Sequence, residues 1–113
     1  ALIMRKITLV KGAMYIAMNR FRVALGREED FEKHWRSRES YLDEVPGFSE
    51  FHLLRGPSDE EATLYASHSV WETGEAFQAW TESEQFHKVH ARARTPKGTL
   101  LGHPMFEGFQ VIL

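Results

Sequence analysis

The chain has 113 residues, the size of one compact domain, and we expect a single domain over residues 1–113. Apolar residues make up 42% of the chain and charged residues 27%, which excludes disordered, collagen-like and low-complexity classes. With 14 basic and 16 acidic residues and no long charged block, the chain is not expected to bind nucleic acid. The absence of cysteine excludes disulfides, thiolate metal ligands and cysteine nucleophiles, and it fits a cytoplasmic location.

Residues 1–13 precede the strands and helices of the predicted fold. Apolar residues in this segment are interrupted by Arg5 and Lys6, and no small-residue cleavage pattern follows them, so a secretory signal is not predicted. No apolar run reaches the roughly 18 residues of a membrane helix, and no membrane association is expected. Residues 1–13 are therefore predicted to form an N-terminal arm or a short extra strand.

The first predicted elements are a strand and a long helix. Residues 14–23 are rich in strand formers and predict the first core strand. Apolar and aromatic residues recur at helical spacing over residues 28–45, and acidic residues occupy the first turn, as the helix dipole favours. Pro46 and Gly47 are predicted to end this helix.

A hairpin, a second helical region and a final strand complete the pattern. Residues 48–55 and 63–71 predict two strands joined by a turn over residues 56–59. The region from residue 75 to about 94 predicts a helix, with a cap-like sequence at Thr81–Glu84 that allows a break near Ser83. Residues 105–113 predict the last strand. The order βαββαβ predicts an α+β, ferredoxin-like fold with an antiparallel sheet.

The pattern of the first strand also bears on assembly. One face carries Tyr15, Asn19 and Phe21, and the other begins with Met14 and Ile16, so both faces are largely apolar in the first half. One layer of helices covers only one face of a sheet. We therefore expect a homodimer in which a second copy covers the other face, giving a dimeric α/β-barrel.

Three residues stand out as candidates for chemistry. Asn19 is a lone amide on an apolar strand face, where it is either a satisfied core amide or a ligand-binding group. Trp80 and His90 are ten residues apart, about 15 Å along an unbroken helix and about 80° around it. They would border different parts of one large flat ligand, or approach more closely if the helix breaks. Core packing for Trp80 and a surface position for His90 are the alternatives.

Other constellations are less complete. Glu84 and His87 have the spacing used in di-iron bundles, but the chain has no second such motif. His87 and His90 share one side of the helix and could clamp a transition metal, although no third ligand is evident. Motifs for serine hydrolases, phosphate-binding loops and zinc proteases are absent from the sequence.

A resemblance to a known family rests on three features of the sequence. These are Asn19-Arg20 on the first strand, the run Ala76–Trp80 on the later helix, and His90 beyond it. Over residues 14–113 the chain resembles the antibiotic biosynthesis monooxygenase superfamily, and within it the haem-degrading monooxygenases of the staphylococcal iron-regulated type. The resemblance implies an enzyme that opens the porphyrin ring of haem with O2 and electrons from an external reductase or small reductant, and that releases iron. Haem is then both substrate and cofactor.

The resemblance also implies residue roles. His90 is the axial ligand of the haem iron, Asn19 donates a hydrogen bond to the distal iron-bound ligand or activated dioxygen, and Trp80 presses on the porphyrin face to distort it. Beyond the resemblance, Arg20 is a candidate for binding a haem propionate, with a solvated position at the end of the strand as the alternative. His87 remains an alternative iron ligand, because it lies one turn before His90.

Further arginines and two other functions stay open at this point. Arg22, Arg92 and Arg94 are additional candidates for propionate contacts. The same fold also hosts cofactor-independent monooxygenases that act on aromatic or quinol substrates, for which an axial histidine has no use. A haem-binding protein without turnover is the third possibility.

Overall fold

A computed structural model of the chain describes residues 13–38, 42–92 and 95–113. Its elements are strand β1 (Tyr15–Ala24), helix α1 (Glu28–Ser37), a short 3-10 turn (Leu42–Glu44), strands β2 (Phe48–Ser58) and β3 (Ala62–Trp71), helices α2 (Gly74–Thr81) and α3 (Glu84–Arg92), and strand β4 (Met105–Gln110). The predicted arm or extra strand lies, except for Ala13, outside the described residues. No helix in the described part of the chain has the length and apolar character needed to cross a membrane.

The four strands form one antiparallel sheet in the order β2-β3-β1-β4. The helices cover one face, here called the inner face, and the opposite face is called the outer face. This arrangement confirms the predicted α+β, ferredoxin-like fold. The two central strands, β1 and β3, pair along ten residues each, from Tyr15↔Trp71 to Ala24↔Ala62, so their register decides which side chains meet on each face.

The core lies between α1 and the inner face. Phe31 is fully buried, and its ring lies 5.4 Å from that of Phe21 and 4.9 Å from that of Tyr65. The Tyr65 hydroxyl donates to the Glu32 carboxylate at 2.5 Å, and Arg55 donates to the same carboxylate oxygen at 3.0 Å. These contacts attach α1 to the sheet by an aromatic cluster on one side and a polar network on the other.

Two predicted boundaries are wrong. The helix predicted over residues 28–45 ends at Ser37, where the Ser37 hydroxyl donates to the His34 carbonyl and Arg38 takes an extended conformation. The turn predicted over residues 56–59 instead belongs largely to β2, which continues to Ser58 with a register shift after Arg55. An edge strand tolerates Gly and Pro at such an irregularity.

The predicted break in the second helical region is confirmed. Helix α2 ends at Thr81 and α3 starts at Glu84. Ser83 joins them, because its hydroxyl donates to the Trp80 carbonyl at 2.7 Å and accepts from the Phe86 N–H at 3.1 Å. The last strand is shorter than predicted and ends at Gln110.

Candidate functional site

A cavity of about 760 Å³ lies between the inner face of the sheet and the helices. Its volume is in the range of sites that enclose a drug-sized organic ligand. All three tryptophans of the chain line it. The aromatic side chains that form its walls are Phe21, Trp35, Phe48, Phe51, Trp71, Phe77, Trp80, Phe86 and Phe106. Such walls favour a flat, apolar and aromatic ligand.

The structure brings Asn19, Trp80 and His90 to this one cavity. They come from β1, α2 and α3, so the site exists only when these three elements are assembled. The bend at Ser83 interrupts the helix between Trp80 and His90, which allows both side chains to border the same space.

Asn19 lies on the inner face near the end of β1. Its side chain is half-buried, and the described part of the chain offers the amide no hydrogen-bond partner. An amide carries two donors and an acceptor, and a partly buried amide without partners costs free energy. The Asn19 amide is therefore available to a ligand in the cavity.

Trp80 is almost completely buried, with 7% of its surface exposed. Its ring packs edge-on against Phe86, with 5.5 Å between ring centroids and 89° between planes. Phe86 in turn lies against His90, with 4.0 Å between centroids. Phe86 thus holds the two predicted site residues in a fixed relation across the break between α2 and α3.

The neutral His90 ring is held in a defined tautomer by its own helix. The ring Nδ1 lies 2.8 Å from the Phe86 carbonyl oxygen. Because a carbonyl oxygen only accepts, Nδ1 must carry the proton and donate it, which leaves Nε2 with a free lone pair. A backbone-anchored Nδ1–H is the arrangement found behind metal-bound histidines.

The pKa of His90 is lowered from its ordinary value. Loss of hydration where the ring packs into the site is the largest cause; the Phe86 carbonyl opposes it, and the charges of Arg38 and His87 add to it. The imidazole is therefore neutral at pH 7, which is the form that binds metals. His87 and His90 are both exposed, but of the two His90 lines the cavity, while the His87 ring contacts Phe86 edge-on.

Arg38 also lines the cavity, and its role was not predicted from the sequence. Its guanidinium lies 4.1 Å from the centroid of the Trp35 ring, and partial burial lowers its pKa. Arg38 is the one arginine or lysine among the described residues that line the cavity. Arg38 belongs to the helical spacing predicted over residues 28–45, but that spacing does not indicate a contact with a ligand, and the helix ends before it at Ser37.

The structure places Arg20 away from the cavity. Arg20 lies on the outer face, half-exposed, and pairs with Glu107 at 2.7 Å. Arg22 shares that face and lies 3.4 Å from Asp59. Arg94 is outside the described residues, and the Arg92 side chain is not described. Among the arginines that the structure describes, Arg38 therefore replaces Arg20 as the candidate for a carboxylate of the ligand.

Comparisons with known proteins match this architecture. The sequence model of the antibiotic biosynthesis monooxygenase family matches residues 14–92. A heme oxygenase (mycobilin-producing) of Mycobacterium tuberculosis (strain ATCC 25618 / H37Rv) is 32% identical over 98 residues, which cover 87% of this chain and 89% of that protein.

Solved structures show the same fold. The heme-degrader MhuD of Mycobacterium tuberculosis, with two hemes bound in its active site, aligns with a TM-score of 0.68 and 28% identity over 88% of this chain and 96% of that one. SnoaB, a cofactor-independent oxygenase from Streptomyces nogalater, aligns with a TM-score of 0.62 and 22% identity over 88% and 93% of the two chains; this likeness concerns the fold alone. By the extent of the family match and the identity to its relative, the chain belongs to the antibiotic biosynthesis monooxygenase family.

Proposed function

We propose that this protein is a haem-degrading monooxygenase that binds haem in the aromatic cavity, with His90 as the axial ligand of the iron. The observation that carries the proposal is the convergence of Asn19, Trp80 and His90 on one cavity from three separate elements. The 32% identical relative, named as a heme oxygenase, supports the same substrate class.

His90 suits an iron ligand in position and in chemistry. It lines the cavity, its Nδ1–H is fixed on the Phe86 carbonyl, and its Nε2 lone pair is free. The lowered pKa keeps that lone pair unprotonated at neutral pH. A chain without cysteine has no thiolate to offer, so imidazole is the axial donor that the sequence allows best. His87 does not line the cavity and is the weaker candidate.

Three further side chains that line the cavity have complementary roles in this proposal. The Asn19 amide provides a hydrogen-bond donor on the sheet side of the cavity, where it would face a small ligand of the iron. The buried Trp80 indole, braced by Phe86, presents a rigid surface against the macrocycle and would resist a planar fit. Arg38 supplies the positive charge that a propionate requires.

Haem supplies the iron that binds O2, and it is itself the substrate. The electrons for ring opening come from an external donor, a reductase or a small reductant, since the sequence has no flavin or nicotinamide motif. Ring opening would consume O2 and electrons from that donor, and the linear tetrapyrrole formed would hold iron less tightly than the macrocycle, so that iron could be released.

Haemin titration of the purified protein tests the proposal. We expect a shifted Soret band that saturates, and bleaching of that band when ascorbate is added in air. A ferrous chelator should detect iron, and mass spectrometry should show a linear tetrapyrrole. Absence of any Soret shift would overturn the proposal and favour a cofactor-independent monooxygenase. Binding without bleaching would instead favour a haem-binding protein.

The pH dependence of haemin binding follows from His90. Because its pKa is lowered from the ordinary 6.5, its Nε2 stays unprotonated down to pH values below 6.5. We expect the affinity for haemin to be constant from about pH 8 to about 6.5 and to fall below that, by at most about tenfold per pH unit for one competing proton. A decline that begins above pH 7 would contradict this assignment. Spectrophotometric titrations at several pH values measure it.

We further propose that the protein works as a homodimer. The outer face carries apolar side chains in register. In one row Ala66 and Met105 flank Arg20, with Leu54 beyond Ala66, and in another Phe109 lies opposite Ile16. Met105 is 67% exposed and Phe109 47% exposed. A second copy that covers this face would bury these side chains.

A charge on this face should prevent the association. We expect Phe109→Asp to convert a species of twice the chain mass of 13.1 kDa into the single chain, because an ionised carboxylate would be buried without a partner. Leu25→Asp is the matched control, since Leu25 is also 47% exposed but lies in the β1–α1 loop. Analytical ultracentrifugation distinguishes the two. A monomeric wild-type protein, or dimers of both variants, would refute the proposal.

A further inference from the structure

Ser67 is a second polar residue on the sheet wall of the cavity. It lies on β3 directly opposite Asn19 on β1, and the neighbours of this pair in the same row are Leu53 and Phe106. Ser67 is 7% exposed and lines the cavity. Within the described residues its hydroxyl makes no hydrogen bond, whereas the hydroxyl of Ser69 accepts one from the Trp71 indole at 3.0 Å.

The Ser67 hydroxyl opens onto the cavity, since the fully buried side-chain oxygen without a partner among the described residues is that of Thr99. Position 67 is central in the sheet, and its row neighbours are apolar or aromatic, apart from Asn19. A β-branched apolar residue such as valine is favoured at a buried central strand position. A serine here therefore presents a hydrogen-bonding hydroxyl to the cavity, where a valine would present none.

We propose that Ser67 is a second hydrogen-bond donor, beside Asn19, for a small ligand on the iron side that faces away from His90. This inference rests on the proposed haem-binding function. Side chains opposite each other on antiparallel strands have Cβ atoms about 4.5–5.5 Å apart, so both donors can reach one small ligand. Both lie on the sheet, while His90 lies on α3, which places them on a different wall from the axial ligand.

Two variants of equal shape test the hydroxyl alone. Ser67→Thr keeps the hydroxyl and Ser67→Val replaces it by a methyl group, so both add similar volume to the cavity. Azide, an anion that accepts hydrogen bonds, is titrated into the ferric haem complex of each variant and followed by the Soret band. We expect Ser67→Val to bind azide about tenfold more weakly than Ser67→Thr, while the two variants bind haemin within about twofold of each other.

The possible outcomes distinguish the proposed role of Ser67 from the haem-binding function on which it rests. Equal azide affinity in the two variants, with normal haemin binding, would overturn the role of Ser67 and leave the haem-binding proposal intact. A loss of haemin binding in Ser67→Val but not in Ser67→Thr would show that the hydroxyl acts on haem docking and would likewise overturn it. A wild-type protein that gives no Soret shift would remove both proposals. The double variant Asn19→Ala/Ser67→Val should lose less than the product of the single losses, since both donors serve one ligand.

Discussion

Replacement of His90 by alanine is expected to abolish the shifted Soret band of the haemin complex and its bleaching by ascorbate in air. The imidazole is the one unprotonated nitrogen donor that the structure places at the cavity, and its loss leaves the iron without a side-chain ligand there. We expect the affinity for haemin to fall by on the order of a hundredfold. Absorption titrations with haemin measure the loss.

The matched control is His87→Ala, on the same helix and one turn earlier. His87 does not line the cavity, so this variant should bind and degrade haemin within about twofold of the wild type. A second check is His90→Gly with added imidazole, which should restore the His-ligated spectrum by filling the vacated position. If His87→Ala loses the complex and His90→Ala keeps it, the ligand assignment is wrong.

Phe31→Ala is expected to lower the free energy of unfolding by about 3–5 kcal/mol. Phe31 is fully buried, and its ring contacts those of Phe21, Trp35 and Tyr65. Removal of the ring leaves a void that these neighbours fill only partly. Because Phe21 and Trp35 also line the cavity, the variant should bind haemin more weakly even where it is folded.

Urea denaturation followed by circular dichroism measures this effect. Phe31→Leu serves as the control, because it preserves most of the volume and should cost less than about 1.5 kcal/mol. Equal stability of the alanine variant and the wild type would show that α1 is not held by this cluster and would contradict the packing described above.

The polar network beside that cluster adds a distinct contribution. Desolvation is the largest cause that raises the pKa of Tyr65 to about 12, and the hydrogen bond to Glu32 adds to it. The same bond is the largest cause that lowers the pKa of Glu32. Tyr65 thus remains a donor and Glu32 an acceptor throughout the neutral pH range, and the attachment of α1 does not vary there.

Much of the fold was predictable because local patterns determine it. Alternation along β1 and the helical spacing of residues 28–37 each follow from one short stretch of chain. The break at Ser83 was also predictable, since a serine that caps α3 acts within its own turn. Alternation along β1 also places Arg20 on the face opposite to Asn19, and this pattern favoured the solvated strand-end alternative over the propionate contact.

The features that the sequence did not predict depend on contacts between residues distant in sequence, or on local hydrogen bonds and strand irregularities that leave no periodic pattern. At the end of α1 the Ser37 hydroxyl donates to the His34 carbonyl and the Arg38 N–H to the Trp35 carbonyl, and periodicity reveals neither bond. Gly56 and Pro57 look like a turn, but the edge of the sheet accommodates them within β2. Arg38 carries no motif, and only packing against Trp35 shows that it lines the cavity.

The sequence by itself determined the order of the helices and strands and the absence of thiolate chemistry. It also singled out Asn19, Trp80 and His90 as candidate site residues. Only the tertiary structure decided that these residues share one cavity, that Arg38 and Ser67 join them, and that Arg20 does not. The physical reason is the difference between local and long-range order. Spacing along the chain determines which face of a strand or helix a residue occupies, but pairing register and helix packing determine which faces meet.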